Sequence, residues 1–171
     1  DLSFQGRHVL APKGGITVQI NAFNFPVWGL LEKFAPAFLA GVPTLAKPAT
    51  PTAHVAEALV RTMLESGLLP EGSLQLLVGS VGDLFDALDH RDSVFFTGSK
   101  ATADRLRRHP AFLERGALFN AEADSLNPAI LGEKATEEEL SRLAQEIAQE
   151  LVIKTGQRCA AIRRVFAPKD R

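Results

Sequence analysis

The chain contains a single cysteine, Cys159, which follows Gly156-Gln157-Arg158 just after a predicted helix. A lone thiol cannot form an intrachain disulfide, and it gives a metal site only one sulfur ligand. Free cysteine is among the most buried residue types, so a space-filling role is the commoner one. The alternative is a nucleophile, because the thiolate form of cysteine attacks electrophilic carbon.

Two further side chains could serve such chemistry. Glu122 directly follows a predicted strand at 117–119, where a carboxylate could act as a general base for water; a solvated loop acid or a helix cap is the commoner role. Asn24 lies in an aromatic turn before Pro26, and its amide could stabilise an oxyanion. The alternative for Asn24 is to satisfy the backbone of the turn.

Two strand ends could face a nucleotide. In Phe96-Thr97-Gly98-Ser99, Gly98 permits close approach of the backbone, and Ser99 offers amides and a hydroxyl to a phosphate at a helix start. An ordinary N-cap is the alternative for Ser99. Lys47 ends another strand, where a lysine facing a ribose or phosphate competes with a solvated one. No Gly-x-Gly-x-x-Gly fingerprint is present.

The elements that must position these residues follow from hydrophobic periodicity. Predicted strands cover 16–20, 44–47, 74–78, 93–96 and 117–119, and predicted helices cover 27–39, 52–66, 83–88, 101–108 and a last segment that ends at Gly156. Thr136 and Glu139 fit a capping box at the start of that last helix. The alternation predicts an α/β fold, a Rossmann-like parallel sheet with helices on both faces. Such sheets bind nucleotides at the carboxyl ends of their strands.

Composition narrows the class of protein. A hydrophobic content of 46% and a charged content of 23% are typical of a soluble globular chain. The net charge of -1 gives no electrostatic case for nucleic acid or for an anionic membrane. No apolar run approaches a membrane span, no cluster of metal ligands is evident, and one cysteine favours a reducing, cytoplasmic compartment. The chain starts without Met and ends just after an apolar segment, so we expect a fragment of a longer protein.

The candidate motifs also occur in a familiar order. From about Val18 to Pro168 the chain resembles the aldehyde dehydrogenase superfamily in five ordered motifs: Asn24-Phe25-Pro26, Lys47-Pro48-Ala49, Phe96-Thr97-Gly98-Ser99, Glu122 and Gly156-Gln157-Arg158-Cys159. The resemblance implies that residues 1–121 are part of an NAD(P)-binding domain. It further implies that residues 122–171 are the start of a catalytic domain and carry its nucleophile.

The resemblance also implies roles for these residues. Cys159 would attack the aldehyde carbon, and the Asn24 amide together with the Cys159 backbone N–H would stabilise the oxyanion. Glu122 would activate water to hydrolyse the resulting thioester to a carboxylic acid. The residues implied to bind the cofactor are Phe23, Lys47, Thr50, Gly82, Thr97, Gly98 and Ser99.

Departures from the common family pattern point to a branch of it. The usual Glu-Leu-Gly-Gly-Lys is here Glu122-Ala123-Asp124-Ser125-Leu126. This variant resembles enzymes that oxidise CoA-linked semialdehydes in phenylacetate degradation, and it also resembles those of the benzoyl-CoA pathway. The resemblance implies a CoA-linked aldehyde as substrate and a homo-oligomer for the whole protein. A different class of function is also open, in which the isolated chain is a non-catalytic nucleotide-binding module.

One departure concerns the cofactor. NAD-preferring members of the superfamily carry a glutamate three residues after the lysine, where this chain has Thr50. A carboxylate there would repel a 2′-phosphate, whereas a hydroxyl beside Lys47 would accept one. The sequence therefore predicts that NADP is used at least as well as NAD.

Overall fold

The computed structural model describes residues 3–9, 11 and 13–169. The chain divides after Glu122 into two compact units, the first ending at Glu122 and the second beginning at Ala123. The two units are described separately below.

A five-stranded sheet forms the first unit. Its strands are β1 (Thr17–Ile20), β2 (Thr44–Lys47), β3 (Leu74–Leu76), β4 (Ser93–Gly98) and β5 (Leu118–Ala123). They lie in the order β3-β2-β1-β4-β5, and β1 pairs in parallel with β2 and β4 while β2 pairs in parallel with β3. The predicted parallel sheet is confirmed.

Helices cover both faces of this sheet, as predicted. They are α1 (Trp28–Leu39), α2 (Ala53–Glu65), α3 (Lys100–Arg107) and α4 (Pro110–Leu113). On one face α1 and α2 bury a cluster made of Leu30, Phe34, Ala46, Val60 and Leu74. On the other face α3, α4 and a 3-10 turn pack around Val18, Phe85, Leu88, Val94 and Ala111. Burying apolar area on both faces is what stabilises a sheet of this kind.

Some predicted boundaries were wrong. The segment predicted as a helix over 83–88 is a 3-10 turn at Leu84–Ala87, and α4 was not predicted. Glu122 lies inside β5 rather than after it. In β5 exposed and half-buried residues alternate, and Asn120 and Glu122 are on the exposed side. Their polar side chains end the apolar run in the sequence, although the strand itself continues to Ala123.

The second unit holds a two-stranded parallel sheet, β6 (Pro128–Ile130) and β7 (Arg164–Phe166), whose strands are connected through α5 (Glu137–Val152). The predicted capping box is confirmed: Thr136 Oγ1 accepts the Glu139 N–H at 3.2 Å, and the Glu139 carboxylate accepts the Thr136 N–H at 2.7 Å. No helix in the described part of the chain is long and apolar enough to cross a membrane.

The end of α5 differs from the prediction. The helix stops at Val152, and a 3-10 turn follows at Ile153–Gly156. Lys154 and Thr155 have φ values of 50° and 57°, and Gly156 has a φ of 70°. Left-handed backbone cannot continue a right-handed helix, so the helix ends before Gly156 rather than at it.

Candidate active site

Three strands of the first unit end side by side. In the sheet register, Ile20 of β1 is opposite Lys47 of β2 and opposite Phe96 of β4. The Asn21 N–H donates to the Lys47 carbonyl at 3.0 Å, which extends the ladder by one bond past β1. Lys47, the turn that begins at Asn21, and Thr97 and Gly98 at the end of β4 therefore share the carboxyl edge of the sheet.

Helix starts follow two of these strand ends. Ser99 is the N-cap of α3, and its Oγ accepts the Thr102 N–H at 3.3 Å. The ordinary capping role predicted as the alternative for Ser99 is thus present in the structure. Thr50 is exposed at the start of a 3-10 turn that leads into α2, soon after the half-buried Lys47. The first-turn amides of such helices favour anions.

Buried polar atoms at this edge suit a polar ligand. Thr97 Oγ1 and Asn21 Oδ1 are buried and have no hydrogen-bond partner among the described residues. Buried polar atoms usually have a hydrogen-bond partner. A buried polar atom without one, at the sheet edge where the cofactor is predicted to bind, is therefore suited to a hydroxyl or phosphate of a ligand. Gly98 has another reason to be glycine, because a Cβ there would lie 2.5 Å from the Phe96 ring.

The predicted cofactor residues Phe23 and Gly82, and the predicted oxyanion donor Asn24, lie in loops. Phe23 is 42% exposed and Asn24 is half-buried, and both belong to the bend that precedes α1. Gly82 lies in the loop after β3 with a φ of +54° and open space around its Cα. Its backbone conformation therefore favours glycine, whereas no neighbouring atom excludes a side chain.

Glu122 lines a pocket of about 400 Å³ in the first unit. The pocket lies between α1 and the strands β4 and β5, where Leu118, Asn120 and Glu122 point to the same face of β5. Lys13 and Lys33 also line it. None of the other predicted site residues lines this pocket.

Cys159 belongs to the second unit and is exposed, in a turn after the 3-10 segment. An exposed side chain does not fill space in a core, so the structure does not support the buried role for this thiol. Its carbonyl oxygen accepts hydrogen bonds from the Ser125 hydroxyl and from Asn127 Nδ2, the latter at 2.6 Å. Neither Ser125 nor Asn127 was predicted to contact the turn, because these bonds join residues 34 and 32 positions apart.

Hydrogen bonds lower the pKa of three carboxyl groups in the chain. Hydrogen bonds from the Arg91 side chain lower the pKa of Asp89 to about 2. A hydrogen bond from Lys100 lowers the pKa of Asp104, and the Thr136 backbone N–H lowers that of Glu139. Over the described ranges, no group of three or more His, Cys, Asp or Glu side chains could hold a metal ion.

Comparison with known proteins shows the family and the fold. Residues 6–171 match the aldehyde dehydrogenase family, so the chain belongs to that family. It is 52% identical over 167 residues to 3,4-dehydroadipyl-CoA semialdehyde dehydrogenase from Aromatoleum evansii, covering 96% of this chain and 32% of that protein. It is 34% identical to N-succinylglutamate 5-semialdehyde dehydrogenase from Pseudomonas fluorescens (strain Pf0-1), covering 91% of this chain and 31% of the relative.

A solved structure shows the same fold. The chain superimposes on a mutant of proline utilization A from Bradyrhizobium japonicum with a TM-score of 0.78 and 28% identity, covering 91% of this chain and 16% of the other. The chain spans about a third of the length of the curated relatives named above.

Proposed function

We propose that this chain is the cofactor-binding and nucleophile-bearing part of an NAD(P)-dependent aldehyde dehydrogenase acting on a CoA-linked semialdehyde of aromatic-acid degradation. The observation that carries the proposal is the 52% identity to a CoA-semialdehyde dehydrogenase over nearly the whole chain. The first unit would bind the cofactor, and the second would begin the catalytic domain.

In this proposal Cys159 is the nucleophile. Its Sγ, as the thiolate, forms a bond to the aldehyde carbon while the π bond of the carbonyl breaks, and the oxygen of the resulting thiohemiacetal carries the negative charge. The Asn24 amide and the Cys159 backbone N–H donate hydrogen bonds to that oxygen, which lowers the barrier by stabilising charge as it develops. The exposure of the Cys159 side chain supports this role, because the thiol is open to a substrate.

Glu122 is the proposed general base for the second half of the reaction. When bound, the nicotinamide supplies the acceptor for the hydride that leaves the substrate carbon, and a thioester to Cys159 remains. The Glu122 carboxylate takes a proton from water, the water oxygen bonds to the acyl carbon, and the carbon–sulfur bond breaks. The carboxylic acid leaves and the thiolate is restored. The position of Glu122 on the wall of a pocket supports access for water.

The carboxyl edge of the first sheet is the proposed cofactor site. Lys47 and Thr50 would hold the adenosine ribose or its 2′-phosphate, and Gly98 with Ser99 would face the pyrophosphate at the start of α3. Thr97 Oγ1, which has no hydrogen-bond partner in the described part of the chain, supports a polar ligand there. Phe23 and Gly82 would complete the site in the loops after β1 and β3. NADP is expected to serve at least as well as NAD, since Thr50 provides no carboxylate to repel a 2′-phosphate.

The same relationship supports the proposed substrate class, and the single cysteine supports the proposed location. The relative at 52% identity is named for a CoA-linked semialdehyde and the one at 34% for an N-succinylated one, so we propose a CoA-linked semialdehyde as the substrate class. Whether the pathway runs from phenylacetate or from benzoyl-CoA is decided by assaying both semialdehydes. The whole protein is proposed to be a cytoplasmic homo-oligomer, which light scattering of the intact enzyme would test.

The roles of Cys159 and Glu122 are tested in the intact protein that contains this chain. Cys159→Ala should abolish aldehyde oxidation, and Glu122→Ala should release one equivalent of reduced cofactor and then stall as the thioester. Glu133→Ala, at an exposed position of the second unit, is the matched control and should turn over normally. Oxidation at a near wild-type rate by Cys159→Ala would contradict the mechanism.

Binding without turnover is a separate outcome for the isolated chain. Calorimetry with NADP on these 171 residues, beside an activity assay, distinguishes a nucleotide-binding module from a catalytic one. Heat of binding without oxidation would assign cofactor binding to this chain and catalysis to the intact protein.

A further inference from the structure

The turn that carries Cys159 is held by hydrogen bonds rather than by burial. Gln157, Cys159 and Ala160 are exposed, and Ala161 is the one buried residue of this turn. Upstream, the backbone passes through the left-handed conformations at Lys154–Gly156. A turn with so little packing keeps one conformation only if its carbonyl groups are anchored, because each ordered residue costs conformational entropy.

One anchor acts on the carbonyl of Cys159 itself. Asn127 Nδ2 donates to this oxygen at 2.6 Å and to the Ala161 carbonyl at 3.2 Å, and the Ser125 hydroxyl donates to the same Cys159 oxygen. The peptide group between Cys159 and Ala160 is therefore fixed. Fixing it sets the backbone on one side of the Cys159 Cα, from which the thiol projects.

A second anchor acts on the preceding peptide group. Arg163 Nη2 donates to the Arg158 carbonyl at 3.2 Å and to the Gly156 carbonyl at 3.0 Å. The Arg158 carbonyl and the Cys159 N–H belong to one planar trans peptide and point in opposite directions. Holding the carbonyl therefore aims the Cys159 N–H, the group proposed above as an oxyanion donor.

Both anchors start from the small sheet of the second unit. Asn127 immediately precedes β6 and Arg163 immediately precedes β7, and the Asn127 carbonyl accepts the Arg163 N–H at 2.9 Å. Because β6 and β7 are paired, they fix the distance between the residues that precede them. A guanidinium and a side-chain amide at these two positions are therefore well placed to hold the turn. The two side chains thus hydrogen-bond to the peptide groups on either side of Cys159, and both come from the start of the small sheet.

We propose that Asn127 and Arg163 are positioning residues for the reaction at Cys159. Asn127 sets the orientation of the thiol through the Cys159 carbonyl, and Arg163 aims the Cys159 N–H through the Arg158 carbonyl. The proposal rests on the proposed function, in which Cys159 is the nucleophile. Neither residue touches the reacting atoms.

The test compares Asn127→Ala and Arg163→Leu in the intact enzyme, with Arg142→Leu, an exposed arginine of α5, as the matched control. Misplaced reacting groups and lost oxyanion donors lower catalysis rather than binding, so kcat should fall about 10- to 100-fold. KM for the aldehyde should change by less than about 3-fold, as expected when ground-state binding is untouched.

Two further measurements separate positioning from simple stability. Added guanidinium ion should restore part of the kcat of Arg163→Ala, and Arg163→Lys should retain more activity than Arg163→Leu. Alkylation of Cys159 by iodoacetamide should slow in Asn127→Ala, whereas Arg163→Leu should leave it near the wild-type rate. Circular dichroism establishes that each variant is folded.

The outcomes distinguish this proposal from the function on which it rests. Normal oxidation by Cys159→Ala would remove the proposed function. An essential Cys159 together with kcat values within 2-fold of wild type in both anchor variants would overturn the positioning roles alone. The positioning roles would also be overturned if the conservative variants Asn127→Ser and Arg163→Lys unfold together with Asn127→Ala and Arg163→Leu. The two side chains would then serve only the fold.

Discussion

Arg158 and Glu150 form an ion pair with 3.1 Å between Nη1 and Oε1, which ties the residue before Cys159 to the last turn of α5. Both side chains are about three-quarters buried, with exposed fractions of 26% and 24%. A pair in this setting is worth more than a surface ion pair, because solvent screens it less.

Replacing Glu150 by Gln should therefore destabilise the second unit by about 2 kcal/mol, between the values typical of exposed and of buried pairs. Urea unfolding followed by circular dichroism measures this change. Glu146→Gln, at an exposed position on the same helix, is the control and should be neutral. Equal effects of the two substitutions would show that the ion pair contributes nothing of its own.

Gln19 should be essential for the packing of α1. Its side chain is fully buried, and in the amide orientation that gives both polar atoms a partner, Nε2 donates to the Leu30 carbonyl at 3.2 Å and Oε1 accepts the Phe34 N–H at 2.9 Å. Gln19→Leu removes both bonds beneath the helix and should cost about 1–3 kcal/mol in unfolding free energy. Gln75→Leu, on the exposed side of β3, should change the unfolding free energy by less than about 0.5 kcal/mol. A neutral Gln19→Leu variant would mean that the apolar side chain compensates fully.

Gly15→Ala should be far more harmful than Gly14→Ala. Both glycines have positive φ, +76° and +69°, so each substitution carries a backbone cost of about 1–2 kcal/mol. A Cβ at Gly15 would also lie 2.4 Å from the Arg91 carbonyl oxygen, whereas no atom of the described residues lies within 4 Å of one at Gly14. Both variants carry the backbone strain, but only Gly15→Ala adds the steric clash with the Arg91 carbonyl. Thermal unfolding should therefore give a much lower melting temperature for Gly15→Ala than for Gly14→Ala. Equal melting temperatures would contradict the close approach.

The capping box makes α5 sensitive to acid. Hydrogen bonds from Thr136 lower the pKa of Glu139 in the folded chain, so its carboxylate stabilises the fold above the ordinary glutamate pKa. That contribution is lost as the pH falls through the lowered folded pKa. Thr136→Val removes the hydroxyl but not the backbone donor, so the Glu139 pKa should move part of the way back up.

An NMR titration of the Glu139 carboxyl in wild type and Thr136→Val measures this shift. The loss of the N-cap should also cost about 1 kcal/mol at neutral pH. Thr62→Val, in the exposed part of α2, controls for the change of side chain. An identical Glu139 titration in Thr136→Val would rule out a role for the hydroxyl.

Thr50→Glu should move cofactor use from NADP towards NAD in the intact enzyme. A carboxylate beside a 2′-phosphate repels it and can bind ribose hydroxyls, so KM for NADP should rise about 10-fold or more. KM for NAD should stay equal or fall. Thr62→Glu adds the same charge elsewhere and should alter neither value. A strong preference of the wild-type enzyme for NAD would already refute the prediction.

Some of the fold and of the proposed site could be predicted locally. Short apolar runs that alternate with helical hydrophobic patterns indicated the parallel sheet. Both patterns can be recognised in the sequence because they depend only on residues close together along the chain. Thr136 and Glu139 indicated a helix start for the same reason. The order of the motifs from Asn24 to Cys159 indicated the family, which needs no contact between them.

Tertiary structure decided what local patterns do not encode. No sequence signal placed Glu122 inside β5, because its polar neighbours on one face of the strand interrupt the apolar run. None linked Asn127 to Cys159 across 32 residues. Whether an Asn anchors a turn depends on which strands pair, and that pairing is fixed by packing of the whole unit. The sequence thus identified Cys159 as the candidate nucleophile, and the folded chain determined that its side chain is exposed and which side chains hold its turn.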